Sequence, residues 1–184
     1  MTRDLLERIK RVKALFMDVD GILTDGSIYV GPDGTELKRF TLEDGVGTAL
    51  ARQARLPLAL ISGRNSEATT ARARQMKIED VYQGCMNKLE PLEMLLDKFG
   101  LGEHEVAYIG DGLIDLPVME RVGVPVSVPN AHPLVKNVAV YITERTGGQG
   151  VLREVVEWIL AHQGRFDEVV AGLRAELHEA GKDG

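Results

Sequence analysis

The chain of 184 residues is 44% hydrophobic and 27% charged, a size and composition that predict one globular domain with a packed core. Its 28 acidic and 22 basic side chains give a net charge of −6, which argues against general nucleic-acid binding but allows a locally positive site for an anionic substrate. The single cysteine excludes an intramolecular disulfide, and neither a signal-peptide pattern nor an apolar run of bilayer length occurs, so we expect a cytoplasmic protein.

Short apolar runs alternate along the chain with segments of helical periodicity. The runs predict strands at residues 13–17, 56–61, 105–109, 124–128 and 139–142. The periodic segments predict helices at residues 46–55, 66–76, 88–99, 116–122 and 151–160. This alternation predicts an α/β fold, a Rossmann-like parallel sheet with helices on both faces.

One segment interrupts this alternation between the first strand and its crossover helix. Residues 27–30 and 36–40 flank Gly-Pro-Asp-Gly at 31–34, which is turn chemistry, so the segment predicts a β-hairpin insertion. A large cap domain would need many more residues. We therefore expect a site that is open or covered by another subunit, with hairpins packed together in a closed homo-oligomer that we predict to be a tetramer.

The C-terminal part has a helical pattern from Val151 and a second helix after Gly164. We divide the chain into a domain at 1–164 and a helical tail at 165–184. The glycine-rich segment Gly147–Gly150 is expected to be mobile, and residues 181–184 are expected to be frayed.

Polar residues follow three of the predicted strands directly. Asp18, Ser62 and Asp111 each come just after an apolar run. Ligands of open α/β sheets bind outside the carboxyl ends of the strands. Three such strand ends therefore predict one common site.

The sequence Asp-Val-Asp-Gly, beginning at Asp18, is central to this site. Of its two carboxylates, one can attack phosphorus and the second, Asp20, can transfer the leaving-group proton. Their mutual repulsion is relieved by a cation, and Mg²⁺ prefers oxygen ligands. Taken alone, the motif is equally typical of a turn with two solvated acids.

The other strand ends carry complementary residues, each with a simpler alternative. Asp111 can bind the metal, and Asp115 can orient the metal ligands or cap the next helix. Ser62 and the Gly63 amide can hold phosphate oxygens, unless Ser62 only caps a helix. Lys88 can neutralise phosphate charge, unless it is a surface lysine.

Together, these blocks resemble the haloacid dehalogenase-like phosphatase superfamily. The resemblance implies that Asp18 is the nucleophile and Asp20 the general acid/base, and that Ser62 binds phosphate. It also implies that Lys88 stabilises developing charge. The implied Mg²⁺ ligands are Asp18, Asp111 and the carbonyl of Asp20.

Residues 10–164 are most similar to one capless branch, the 3-deoxy-D-manno-octulosonate 8-phosphate (KDO 8-phosphate) phosphatases of lipopolysaccharide biosynthesis. The similarity lies in the motif that extends to Gly26, the hairpin, Asp-Gly-Val-Gly at 44–47 and Asn-Ala-His-Pro at 130–133. Many members of the branch read Gly-Asp-Asp where this chain has Gly112 after Asp111. That difference implies weaker Mg²⁺ binding.

Two residues bear on the substrate. Arg64 follows the phosphate-binding turn, where phosphatases of nine-carbon sugar acids typically have an acidic residue, so it favours the eight-carbon substrate. Asp44 has two interpretations of equal weight. The resemblance implies that it lies near the site mouth, and its sequence position allows it to cap the helix that starts at Gly45.

Other functions remain open from the sequence. The first is hydrolysis of a nine-carbon sugar-acid 9-phosphate. Another is a non-catalytic oligomerisation module, which would not need to keep Asp18, Asp20, Ser62, Lys88 and Asp111 together. The last is a phosphotransferase or mutase, disfavoured because an open site admits water.

Overall fold

The computed structural model describes residues 2–180 and has a six-stranded parallel sheet at its centre, as predicted. The strands are β1 (Ala14–Met17), β4 (Leu58–Ile61), β5 (Asp80–Tyr82), β6 (Val106–Ile109), β7 (Val124–Ser127) and β8 (Tyr141–Ile142). Their order across the sheet is β5-β4-β1-β6-β7-β8. The order reverses direction between β1 and β6, and open parallel sheets bind ligands at such a point.

Eight α-helices surround the sheet within the described residues. They are α1 (Arg3–Lys10), α2 (Glu43–Gln53), α3 (Glu67–Gln75), α4 (Leu89–Phe99), α5 (Leu116–Met119), α6 (Pro133–Val138), α7 (Val151–His162) and α8 (Phe166–Ala180). Right-handed crossovers put α2 and α3 on one face and α4, α5 and α6 on the other. The predicted α/β fold with helices on both faces is confirmed.

Three elements were missed by the sequence analysis. Strand β5 has only three half-buried residues and a charged first residue, Asp80, so it lacks the apolar run of a buried strand. Helix α1 buries only Ile9, although Thr2 caps it by accepting a hydrogen bond from the Leu5 amide at 3.3 Å. Helix α6 has six residues and begins at Pro133. Short edge elements carry too few residues to establish a period.

The predicted hairpin is present as β2 (Tyr29–Val30) and β3 (Glu36–Leu37), paired antiparallel. Its apolar side chains face outward, with Tyr29 60%, Val30 71% and Leu37 62% exposed. Within residues 2–180 the hairpin is the sole insertion over the sheet, and no large cap domain occurs.

The C-terminal region packs against the domain. Val169 of α8 is buried, and the Arg165 guanidinium donates a hydrogen bond to the Ala54 carbonyl at the end of α2. The expected fraying concerned residues 181–184, which lie outside the described part. In residues 2–180 we find no helix with the length and apolarity needed to cross a bilayer.

The segment Gly147–Gly150, which the sequence predicts to be mobile, is packed against the loop after β1. Gly147, Gly148 and Gly150 are buried, and the Gly148 amide donates a hydrogen bond to the Ile22 carbonyl at 2.9 Å. A Cβ atom on Gly147 would lie 1.9 Å from the Gly21 carbonyl oxygen. These glycines therefore permit close contact with the loop after β1.

Candidate active site

The candidate site lies at the carboxyl ends of the central strands. Asp18 follows β1 directly, Ser62 follows β4, and Asp111 comes two residues after β6. Because β1 and β6 are neighbours at the point where the strand order reverses, Asp18 and Asp111 meet there.

Three carboxylates form the floor of this site. Asp18, Asp111 and Asp115 each have an oxygen within 4.8 Å of the others. Oxygen donors at this spacing fit Mg²⁺. Asp18 and Asp111 are suited to hold the ion directly, since the Asp115 oxygens already accept other hydrogen bonds.

The electrostatics also favour a cation. Burial raises the pKa of the Asp18 carboxyl to about 7, although Lys88 opposes this shift. Burial, together with the charge of Asp115, raises the pKa of the Asp111 carboxyl to about 6. Two carboxyl groups that resist ionisation together are stabilised as carboxylates by a bound cation.

The Asp115 side chain organises the site through four hydrogen bonds. Its Oδ1 accepts from Lys88 Nζ and from the Tyr108 hydroxyl, both at 2.7 Å. Its Oδ2 accepts from the amides of Asp111 at 3.1 Å and Gly112 at 3.0 Å. The side chain makes no capping bond to α5, so the orienting interpretation fits the structure.

Tyr108 was missed by the sequence analysis. Its ring is fully buried in β6, and burial together with the neighbouring Asp115 raises the pKa of its hydroxyl well above the usual value. The hydroxyl therefore stays protonated and donates to Asp115. The signal in the sequence is a tyrosine in an otherwise aliphatic strand, because a buried hydroxyl needs a partner.

Lys88 is a buried residue and not a surface lysine. Its side chain has no exposed area, and its ammonium lies 2.8 Å from Asp18 Oδ2 and 2.7 Å from Asp115 Oδ1. A buried ammonium requires such partners. Lys88 thus connects Asp18 with the carboxylate that orients the Asp111 loop.

Gly21 allows the loop after β1 to approach Asp111. Its φ angle is +86°, and a Cβ atom there would lie 2.1 Å from Asp111 Oδ2. Any side chain at position 21 would displace the Asp111 carboxylate. The glycine of the Asp-Val-Asp-Gly motif is therefore part of the site geometry.

Ser62 and Gly63 line a pocket of about 230 Å³ beside Asp18 and Asp20. The Ser62 hydroxyl accepts a hydrogen bond from the Arg64 amide at 3.2 Å. Helix α3 begins only at Glu67, with Ser66 at its N-cap position. Ser62 therefore does not cap that helix, and the pocket is lined by the loop residues Ser62, Gly63 and Arg64 and not by the helix terminus.

Asp20 and Arg64 both meet the hairpin, which the sequence analysis did not anticipate. Lys38 Nζ lies 2.7 Å from Asp20 Oδ1, and the Arg64 guanidinium lies 2.7 Å from Glu36 Oε2. Glu36 and Lys38 alternate with the outward-facing Leu37. That period of two was the available signal that they face the site.

Asp44 does not lie at the site mouth but is buried between α2 and α7. It is 2% exposed, and its Oδ1 accepts a hydrogen bond from the Leu152 amide in the first turn of α7 at 3.0 Å. The expectation that it caps its own helix is wrong, since Asp44 lies inside α2 and its side chain contacts α7. Burial raises the pKa of its carboxyl to about 6.

Comparisons with known proteins agree with this geometry. The model of the haloacid dehalogenase-like hydrolase family matches residues 58–155. The 3-deoxy-D-manno-octulosonate 8-phosphate phosphatase of Escherichia coli K12 is 42% identical over 168 residues, which cover 91% of this chain and 89% of the relative.

Solved structures of similar proteins have the same fold. The phosphatase of this name from Moraxella catarrhalis, crystallised with magnesium, phosphate and KDO, is 40% identical with a TM-score of 0.88, covering 93% of this chain and 98% of that one. A cobalt-bound phosphatase from Haemophilus influenzae is 31% identical with a TM-score of 0.83, covering 86% of this chain and 93% of that one.

Proposed function

Because this chain belongs to the haloacid dehalogenase-like hydrolase family, within its 3-deoxy-D-manno-octulosonate 8-phosphate phosphatases, we propose that it hydrolyses KDO 8-phosphate to KDO and phosphate. The observation that carries the proposal is the buried Asp18–Lys88–Asp115 cluster, with Asp111 and Asp20 beside it. A non-catalytic module would have no need of this costly arrangement of charges.

The residues divide the reaction between them. Asp18 attacks phosphorus and forms an aspartyl-phosphate as the bond to the sugar breaks, and Asp20 donates a proton to the departing ester oxygen, which leaves as a sugar hydroxyl. Asp20 then takes a proton from the water that attacks the aspartyl-phosphate, which releases phosphate and restores the Asp18 carboxylate. Ser62 and the Gly63 amide hold phosphate oxygens, and Lys88 balances the charge at Asp18. Asp18, Asp111 and the Asp20 carbonyl would hold Mg²⁺, which would supply positive charge to neutralise the phosphate.

Arg64 supports a sugar-acid substrate, and it favours the eight-carbon one only because phosphatases of nine-carbon sugar acids typically have an acidic residue at this position. Its side chain lines the pocket and is half exposed, beside Glu36 and 3.9 Å from Asp20. A guanidinium at the pocket rim suits the carboxylate of a sugar acid. The second candidate is a nine-carbon sugar-acid 9-phosphate, which also carries a carboxylate. We do not assign Asp44 to the substrate in view of its burial.

Release of phosphate by the purified protein tests the function. With Mg²⁺, we expect turnover of KDO 8-phosphate at a kcat/KM at least about tenfold above that for N-acetylneuraminate 9-phosphate. EDTA should abolish the activity, Mg²⁺ should restore it and Ca²⁺ should not, because Ca²⁺ takes more ligands at longer distances.

Asp18→Asn is the matched control, since an amide cannot form the acyl-phosphate. Substantial hydrolysis by this variant would contradict the covalent mechanism. Equal or faster turnover of the nine-carbon ester would contradict the assigned substrate.

The assembly is part of the proposal. The outward apolar side chains of the hairpin, Tyr29, Val30 and Leu37, supply a surface for association. We propose a homotetramer in which hairpins pack together and a neighbour narrows the site. The domain at 1–164 with a tail at 165–184, and a cytoplasmic location in keeping with the lone Cys85, complete this proposal.

A further inference from the structure

Lys38 differs from the rest of its hairpin. Tyr29, Val30 and Leu37 are largely exposed, whereas the Lys38 side chain, immediately after β3, has no exposed area. A lysine on an exposed insertion would ordinarily extend its ammonium into water. Burial of this one therefore requires specific partners.

The nearest partner is the carboxylate of Asp20, and Glu36 Oε1 lies 3.6 Å from the same ammonium. Lys38 Nζ lies 2.7 Å from Oδ1 and 2.9 Å from Oδ2, and the Thr69 hydroxyl is a further acceptor at 3.4 Å. The ammonium donates a hydrogen bond to Oδ2 and pairs with Oδ1 by charge alone, and the two contacts together restrict rotation of the carboxylate about its Cβ–Cγ bond. Asp20 itself is only one-fifth exposed, so the ion pair is largely shielded from solvent screening.

Two further contacts hold the hairpin in this position. Glu36 accepts hydrogen bonds from the Ser66 hydroxyl at 2.8 Å and the Arg64 guanidinium at 2.7 Å. At the end of the hairpin, the Arg72 guanidinium donates to the Thr41 carbonyl at 2.6 Å and lies 5.9 Å from the Phe40 ring centroid. The base of the hairpin is thus fixed to α3 and to the loop after β4.

We infer that Lys38 is a positioning residue for the reaction, holding the Asp20 carboxylate in the orientation needed for proton transfer to the leaving group. The inference rests on the proposed function. It assigns the hairpin a task within its own chain, separate from any contact with a neighbouring copy. The task is served by the inward side of the hairpin, opposite Leu37.

The ratio of kcat/KM values for two substrates distinguishes a role in proton transfer from a purely structural role. Loss of a sugar alcohol from phosphorus needs a proton from Asp20, whereas p-nitrophenolate leaves without one. The kcat/KM value includes steps only up to the departure of the leaving group. A defect in proton transfer therefore lowers kcat/KM for a sugar phosphate and spares p-nitrophenyl phosphate.

The experiment compares Lys38→Met, Lys38→Arg and the control Arg39→Met on both substrates with Mg²⁺. In Lys38→Met we expect kcat/KM for KDO 8-phosphate to fall about ten- to a hundredfold, a fraction of a general acid's contribution. The value for p-nitrophenyl phosphate should change less than about threefold. Lys38→Arg should recover part of the loss, because a guanidinium also bridges two carboxylate oxygens. Arg39→Met removes an exposed charge from the same segment and should resemble the wild type.

Equal losses on both substrates would overturn the inference, since they would indicate disruption of the whole site. A raised KM for the sugar phosphate with unchanged kcat would also overturn it, because Lys38 would then bind substrate. If the wild type fails to cleave KDO 8-phosphate, the proposed function is wrong. The same comparison then proceeds with another primary alkyl phosphate that the protein cleaves.

Discussion

At the scale of single residues, Asp115 makes the three acids of the site unequal. Its carboxylate accepts four hydrogen bonds from neighbouring groups, so both of its oxygens are engaged without a metal. Burial is the main cause of the raised pKa values of Asp18 and Asp111, and the negative charge of Asp115 adds to the shift of both. Without a cation, these two proposed metal ligands are therefore partly protonated just below neutral pH, and a bound cation would displace the protons.

Mg²⁺ binding should consequently release protons. With a pKa of about 7 for Asp18 and about 6 for Asp111, the metal-free site holds protons at pH 6.5 that bound Mg²⁺ displaces. We expect about one proton per Mg²⁺ at pH 6.5 and almost none at pH 8.5, with the affinity falling as the pH is lowered through 7 and 6. Calorimetry in buffers of different ionisation enthalpy measures the released protons.

Asp111→Asn provides the control for this titration, since it removes one of the two groups and should reduce the protons released at pH 6. An affinity for Mg²⁺ that stays constant between pH 5.5 and 8.5 would contradict the assignment of Asp18 and Asp111 as ligands.

Asp44 should make stability depend on pH by a different route. Its carboxyl has a raised pKa of about 6 in the folded protein, so the folded state binds the proton more tightly than the unfolded chain. The free energy of unfolding should therefore fall as the pH rises towards 6 and then level off. Asp44→Asn keeps the acceptor for the Leu152 amide but cannot ionise.

Between pH 5 and 7.5 the wild type should lose about 1.5 kcal/mol of its free energy of unfolding through Asp44, which corresponds to a difference of about one pKa unit. The Asp44→Asn variant should not show this loss. Urea unfolding in saturating Mg²⁺ measures this difference while holding the metal ligands ionised. Parallel pH profiles for the two proteins would show that the Asp44 carboxyl is ionised throughout the range.

At the scale of elements, the sequence was most informative where side chains repeat. The apolar runs before Asp18, Ser62 and Asp111 predicted the central strands, and hence the convergence of these residues. For contacts between distant segments, such patterns indicate at most which side chains are directed inward and not which partners they meet. The pairing of Lys38 with Asp20, and of Tyr108 with Asp115, depends on how the hairpin and the sheet fold together.

Glycines illustrate the same limit, because they serve both flexible and closely packed segments. Gly147 was assigned to a mobile segment, yet it lies against the loop that carries Gly21 and Thr24. A single sequence does not show whether a glycine belongs to a flexible segment or to a closely packed one. The packing is visible only when both segments are placed.

Gly147→Ala should therefore impair catalysis from outside the reacting residues. The added Cβ would lie 1.9 Å from the Gly21 carbonyl oxygen and 2.6 Å from that of Thr24, so the loop beside Asp20 must move. We expect a loss of at least about tenfold in kcat, since small misplacements of reacting groups are costly, and about 1–3 kcal/mol of stability.

Steady-state kinetics and thermal unfolding of the variant provide the measurement, with Gly45→Ala as the control. The nearest atom to a Cβ at Gly45 lies 4.0 Å away, within helix α2, where alanine is tolerated. Wild-type kinetics for Gly147→Ala would show that the contact does not position the loop.

For the molecule as a whole, the pocket and the hairpin bear on whether one chain alone encloses the substrate. The pocket of about 230 Å³ is smaller than the roughly 300–1,000 Å³ of common small-molecule sites. It suits a phosphate group, and the rest of a sugar acid would extend past its rim. The exposed apolar hairpin stands beside that rim, so a second copy bound to the hairpin would add walls to the site.

Association through the hairpin can be separated from the task of Lys38 by substitutions on its outward side. Deleting the hairpin would remove both, whereas Val30→Asp with Leu37→Asp changes only its outward side, since both residues are largely exposed. Charges there should oppose burial in an interface. We expect smaller species in sedimentation velocity at micromolar concentration. Hydrolysis of p-nitrophenyl phosphate should persist, and discrimination among sugar phosphates should decline.

Met94→Asp, at an exposed position on α4, is the matched control and should sediment as the wild type does. An unchanged sedimentation coefficient for the double variant would place the interface elsewhere, and unchanged selectivity in a dissociated protein would show that each site is complete within one chain.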